Sequence, residues 1–237
     1  MRAGAVPTTS AINEQNYIDY FEPVLREGQD IYYITFSHKL SATFESMDRA
    51  VAALKEKYPD REIRTFDTKS ISLGAGFQVR LAAEKYNAGA TMDELDAFLE
   101  EVRAHTVVYF VVDDLVYLKR GGRISALTAA FGKMLGIKPM ISVMPDGSLQ
   151  SVGKVKGSKR VFAEFVRIMR EHKCNVKDYR IEVLQADCPE TGDAFVQTLR
   201  QEFGEDIKID YQVVGPVIAA HCGPGTLGLI FYGDKQA

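Results

Sequence analysis

From Asp30 onward the chain alternates short β-rich runs with amphipathic stretches of helical period, and this alternation narrows the fold more than any other feature. Asp30 to Ser37, DIYYITFS, is rich in Ile, Tyr, Thr and Phe and reads as a buried strand. Phe44, Met47, Val51 and Leu54 follow at helical spacing with Glu and Lys between them, so a helix with one apolar face comes next. Arg61 to Phe66 gives a second strand and Leu73 to Tyr86 a second helix. Thr91 with Glu94 forms a capping box that opens another helix, Met92 to Val102. Val107 to Val112, VVYFVV, is apolar enough to belong at the centre of a sheet. Strands separated by helices of about 10–15 residues imply right-handed βαβ crossovers and a mostly parallel, doubly wound sheet.

The pattern changes after Gly136. Lys138 to Met144 and Ser148 to Val155 flank Pro145-Asp146-Gly147, a strong hairpin signal. A helix carrying Val161, Phe162, Phe165, Ile168 and Met169 on one face follows. Three further strands (Arg180 to Gln185, Ile207 to Val213, Thr226 to Tyr232) enclose a helix around Asp193 to Phe203. These elements predict a smaller α+β unit, a largely antiparallel sheet with helices on one side. The expected organisation is therefore α/β in two domains, 1–136 and 137–237, with a ligand in the cleft between them. The 237 residues suffice for two cores.

Composition removes several function classes. A net charge of −3 supplies no basic field for nucleic acid or anionic lipid. No apolar run approaches the ~20 residues that span a bilayer, and Met1-Arg2-Ala3-Gly4 has no signal-peptide character, so the cytoplasm is the expected compartment. Cys174, Cys188 and Cys222 form no C-x-x-C spacing, which argues against both a disulfide framework and a structural zinc site. Cys188, before Pro189 at a helix start, reads as a small half-buried residue rather than a reactive thiol.

Four polar clusters sit where strands hand over to loops or helices, the ends at which open α/β sheets bind ligands. Pro7-Thr8-Thr9-Ser10 precedes a helix starting near Asn13, so its hydroxyls would cap that helix or join free N–H groups in receiving an anion. Ser37-His38-Lys39-Leu40-Ser41-Ala42-Thr43 follows the first strand, with Ser41 or Thr43 as the next helix cap. Tyr117 to Ser125, YLKRGGRIS, pairs a glycine turn with flanking cations suited to a carboxylate or phosphate, and equally suited to plain solvation. His221-Cys222-Gly223-Pro224-Gly225-Thr226 places a histidine beside a turn with backbone room around it. Gly74-Ala75-Gly76 imitates a dinucleotide fingerprint, but position 79 is Val and the segment lies too far past its strand. Adjacent His221 and Cys222 would face opposite ways if extended, so they make no nucleophile–base pair. No ATP or magnesium constellation is legible. On these residues alone three readings stay open: a carrier, a small-molecule hydrolase or transferase using Ser41 as nucleophile and His221 as base, and a binder of another carboxylate or phosphate.

Taken together, the clusters resemble the DegV family of bacterial fatty-acid-binding proteins. The run YFVVDDLVYLKRGGRISALTAAFGKMLGIKPMISVMPDGSLQSVGKVKG carries the family's L-x-Y-L-K-x-G-G-R-I-S stretch, K-P segment, D-G turn and K-V-x-G. HCGPGTLG matches H-x-G-P-G, and FDTKSISLGAG looks like the family's D-S/T…S-x-G-x-G segment. The resemblance covers essentially the whole chain. It implies that Thr9, Ser41 and His221 hold a ligand carboxylate, flanked by Ser10 and Ala42. It also implies that Arg123, assisted by Arg120, serves the head-group region or a partner. Its further implications are an acyl carrier without catalytic machinery, no metal, no cofactor beyond a bound long-chain fatty acid, and a separate kinase subunit that phosphorylates the carboxylate. The chain departs from the pattern in reading T-S-A-I for T-S-Q-P and S-A-T for S-G-T, and in lacking the first strand that ends in T-D-S-x-x-D. Phe36, Phe77, Ile124 and Met140 are read as core rather than as lipid contacts.

Overall fold

The computed structural model describes residues 1–124 and 136–235. Helix α1 (Glu14–Arg26) is opened by Asn13 through a reciprocal capping box with Asn16, not by the hydroxyls of residues 7–10. Strand β1 (Ile31–Thr35) leads through a 3-10 turn (His38–Leu40) into α2 (Thr43–Lys57), and β2 (Ile63–Asp67) returns parallel to β1 in register Ile31 to Ile63. Phe44, Met47, Val51 and Leu54 are all buried, against Tyr17, Phe21 and Leu25 of α1. Helices α3 (Leu73–Asn87) and α4 (Met92–His105) follow, the latter opened by the expected Thr91–Glu94 box.

The second sheet holds six strands in the order β5-β4-β3-β8-β6-β7. Its members are β3 (Thr106–Val111), β4 (Ile137–Val143), β5 (Leu149–Lys156), β6 (Ile181–Ala186), β7 (Ile209–Val213) and β8 (Thr226–Tyr232). Neighbours run antiparallel except β6 and β7, which are parallel because α7 (Pro189–Phe203) crosses between them. The expectation of a largely antiparallel sheet thus holds apart from this pair.

Strand β3 corrects the expected organisation. It lies between β4 and β8, so the change of sheet falls between α4 and β3, well ahead of Gly136. The described part of the first sheet is the β1–β2 pair alone. An apolar run such as VVYFVV records burial on both faces without recording its partners. Helices also cover both faces of the second sheet rather than one. Val107, Val111, Leu229 and Phe231 pack with residues of α6 (Ser158–Glu171) and α7, whereas Val108, Phe110 and Ile230 pack with Phe77 and Leu81 of α3. The strand period of two sends alternate side chains to these two cores.

Polar ties between the halves include these two. Ser37 donates its hydroxyl to the Gly147 carbonyl in the β4–β5 turn at 2.8 Å. Arg80 of α3 donates to the buried Glu182 carboxylate of β6 at 2.8 Å. Among the described residues no helix is long and apolar enough to cross a membrane.

Candidate functional site

An apolar cavity of about 560 Å³ lies between the end of β1, the start of α2 and the α3-facing side of the second sheet. Tyr33, Phe36 and Phe44 wall it on one side, and Val108, Phe110 and Ile230 on the other. Its volume falls within the roughly 300–1,000 Å³ usual for small-molecule sites. Phe36 is therefore a wall residue as well as core, whereas Phe77 is wholly core at 1% exposure. Met140 belongs to the core on the opposite face of the sheet, and Ile124 packs on the inner core.

One end of the cavity is polar. Thr9, Ser10, Ser41, Arg123 and His221 all line it, from four separate stretches of chain. His221 stands near the end of α8 (Pro216–Cys222), a short helix whose Pro216 at its start supplies the fixed backbone angle of a first helical position. After it, Gly223 and Gly225 adopt φ of +81° and +84°, where a Cβ would in addition strike the Tyr117 ring and the Asp113 carboxylate respectively. The Thr226 hydroxyl donates back to the Gly223 and Cys222 carbonyls and closes the turn. Beneath the imidazole lies Gly121, where a Cβ would collide with Nδ1. The glycines of two distant motifs thus share the task of seating one ring.

Thr9 Oγ1 and His221 Nε2 are hydrogen-bonded at 2.9 Å. Ser41 Oγ accepts from the Thr43 N–H at 3.2 Å, which leaves the Ser41 proton directed to other acceptors. Neither Ser41 nor Thr43 caps α2 as expected. Ala42 occupies the cap position, while Thr43 is buried, donating to the Ile12 carbonyl and bonded to the Tyr17 hydroxyl. Arg123 donates from Nε to the Leu40 carbonyl at 3.0 Å and from Nη1 to the Gly121 carbonyl, so its guanidinium is fixed across the polar end. Burial, and secondarily the charge of Arg123, lower the His221 pKa below its ordinary value. The imidazole is therefore held in its neutral form near pH 7, in which it donates from one nitrogen only.

The remaining expected site residues fall elsewhere. Ala42 lines a separate outer cavity and not the inner one. Arg120, the last residue of α5 (Val116–Arg120), is exposed and lines neither cavity. Ser125 lies outside the described residues. Because His221 Nε2 engages Thr9 instead of Ser41, the pairing needed for a Ser41 nucleophile and His221 base is not formed. Burial raises the pKa of the Cys188 and Cys222 thiols, in keeping with small packed residues. Among the described residues no group of three or more His, Cys, Asp and Glu side chains could hold a metal ion.

Several wall residues had no reading from sequence. Val217 and Ile218 of α8 line the cavity, and the signal for them was Pro216 opening a short helix with Val217 and His221 one turn apart. Tyr17 lines it too, and its spacing with Phe21 and Leu25 after the Asn13 cap marked the buried face of α1.

Residues 1–234 match the family model described as "Uncharacterised protein, DegV family". The chain belongs to the DegV family. A DegV domain-containing protein of Clostridium perfringens is 37% identical over 237 residues, covering 100% of this chain and 81% of the relative. A solved DegV family protein of Thermus thermophilus, described as binding fatty acid, superimposes with a TM-score of 0.83 at 30% identity, over 98% of this chain and 81% of its own. The fold is also that of the Streptococcus pneumoniae fatty acid kinase B3 protein, solved with linoleic acid, at a TM-score of 0.84, 19% identity and coverage of 95% and 78%. This DegV chain thus has the α/β architecture of its relatives.

Proposed function

We propose that this DegV protein buries the acyl chain of a long-chain fatty acid in the inner cavity and presents the carboxylate at the Thr9–Ser41–His221 end. The observation that carries the reading is a mostly apolar cavity closed at one end by hydroxyl and imidazole groups. Burying a chain of about fifteen methylenes at ~0.8 kcal/mol each gains on the order of 12 kcal/mol before ordering costs. The carboxylate is the costly end, since an unpaired buried charge is strongly disfavoured. Here the Ser41 proton is available, and a His221 N–H donated to Thr9 Oγ1 frees the Thr9 proton for a second ligand oxygen. Arg123 contributes the opposite charge.

Phosphorylation belongs to a separate kinase subunit in this reading. The γ-phosphoryl group of ATP passes to a carboxylate oxygen, giving an acyl phosphate and ADP, and the DegV protein holds the acceptor in place. The likeness to the S. pneumoniae protein supports the fold of this reading, and the T. thermophilus relative supports its ligand class. The test is to incubate the fatty-acid-loaded protein with ATP and Mg²⁺, with and without the organism's fatty acid kinase, and to trap acyl phosphate with hydroxylamine. Hydroxamate is expected only with both proteins present. Turnover by the isolated DegV protein would favour an enzyme instead.

A further inference from the structure

The turn that follows His221 rests on one short stretch of chain at three points. Gly121 lies against the imidazole, the Tyr117 ring against Gly223, and the Asp113 carboxylate against Gly225. Positions 113, 117 and 121 thus meet 225, 223 and 221 in reverse order, and at each point a glycine permits the close approach. The outermost point is charged. Asp113, just past the end of β3, accepts from Lys138 Nζ of β4 at 2.6 Å. The same ammonium donates to the Gly225 carbonyl at 3.4 Å. Gly225 in turn donates its N–H to the Ala186 carbonyl at the end of β6, 2.7 Å away. Three strands therefore hold this one glycine, and the Lys138–Asp113 pair supplies two of the holds. Neither Asp113 nor Lys138 lines the inner or the outer cavity.

We infer that Asp113 and Lys138 are positioning residues for His221: their ion pair fixes the turn from Gly223 to Gly225 on the stretch below it, and so sets the imidazole against Thr9. The effect on ligand rests on the carrier reading above; the effect on the ring does not. An ammonium has three donors, enough to engage the carboxylate and the Gly225 carbonyl together. The Lys138 side chain is only 18% exposed, so its reach is confined to these partners, whereas Asp113 is 45% exposed and water can replace the lysine there. Such a pair adds little to overall stability. Its consequence is geometric, because hydrogen bonds weaken steeply as length and angle depart from their optimum. A small displacement of the ring is then felt in binding before it is felt in folding. The K-P segment, which touches neither cavity, thereby acquires a role at the polar end.

The experiment is a double-mutant cycle on the full chain, stripped of lipid, with palmitate binding read by displacement of a fluorescent fatty acid. Lys138→Met should weaken palmitate by roughly tenfold, the size of one misaligned hydrogen bond to a charged group, and barely move the urea midpoint. Lys138→Arg keeps the charge and should recover part of the loss. In the His221→Ala background Lys138→Met should cost nothing further, because the ring it positions is gone. Wild-type affinity in Lys138→Met, or the same loss with and without His221, would overturn the inference. Histidine NMR reads the ring without ligand: the His221 resonances should shift in Lys138→Met while those of His105 and His172 stay. Unmoved His221 resonances would likewise overturn it. Asp113→Asn removes the charge with little change of shape and should reproduce both effects, so a poorly folding Lys138 variant leaves the test intact. A wild type that refuses palmitate would remove the carrier reading instead, and the resonances would still decide whether the pair positions the ring.

Discussion

Thr9 Oγ1 and His221 Nε2 lie 2.9 Å apart although 212 residues separate them in sequence. Their hydrogen bond spans the mouth of the inner cavity and makes two remote motifs a single polar end. A neutral imidazole with its proton on Nε2 donates to the threonine oxygen, which leaves the threonine proton directed to other acceptors. Ser41 reaches the same state by accepting from the Thr43 N–H.

Removing the imidazole should therefore cost ligand, not fold. His221→Ala is expected to weaken fatty-acid binding by about 1.5–3 kcal/mol, the worth of a hydrogen bond to a charged group, with little change in the unfolding midpoint. Displacement of a fluorescent fatty acid measures it. Unchanged affinity would count directly against the assignment of this end.

Gly121→Ala tests the seat of the ring without touching a polar group. Gly121 has ordinary helical backbone angles, so the added Cβ brings no backbone strain, only its collision with the imidazole. Weakened fatty-acid affinity comparable to His221→Ala is expected in the same assay. A variant with wild-type affinity would show that the ring position is immaterial.

His221 also sets a pH dependence. Its pKa is lowered in the folded chain, so below the ordinary imidazole value of about 6.5 the unfolded chain binds the extra proton first. The stability that His221 contributes is full above that value and is lost as the pH falls through it toward the depressed folded value. Thermal unfolding at a series of pH values should show this loss in wild type and a smaller one in His221→Gln. Arg123→Gln removes the secondary cause, and histidine NMR should then show the His221 midpoint moving upward.

Arg123→Ala separates binding from presentation. Fatty acid should remain bound, though more weakly for want of the opposite charge, while phosphorylation by the cognate kinase at saturating lipid falls by at least roughly tenfold through loss of a charge beside the transferring group. Normal phosphorylation would sink this role.

Arg80→Met addresses the frame instead of the site. It leaves the Glu182 carboxylate buried without its partner, and a loss of about 3–5 kcal/mol in urea unfolding is expected. Replacing Glu182 by Leu in the same chain should recover much of it, since the cost lies in the stranded charge.

Local pattern carried most of the elements, because Phe44, Met47, Val51 and Leu54, or Thr91 with Glu94, state their own helices through spacing and caps. Partnership was less legible. Val107 to Val112 announce burial, yet nothing local decides that β3 joins β4 and β8 instead of the β1–β2 pair. Helix α8 was hidden by its brevity, since a seven-residue helix supplies less than the run of periodic positions that periodicity needs. The site was legible only through its motifs. Thr9, Ser41 and His221 are ordinary capping or turn residues one at a time, and only the fold brings them to one cavity. Ala42 and Arg120 were carried along by adjacency in sequence, and the geometry sets Ala42 on the outer cavity and Arg120 in solvent.

The central claim is that this DegV chain carries a fatty acid, and native mass spectrometry of the purified protein tests it most directly. The expected result is a complex with one fatty acid per chain, whose lipid is identified after solvent extraction. A protein found empty both as isolated and after incubation with a panel of fatty acids would contradict the claim and leave a binder of another carboxylate or phosphate as the better reading.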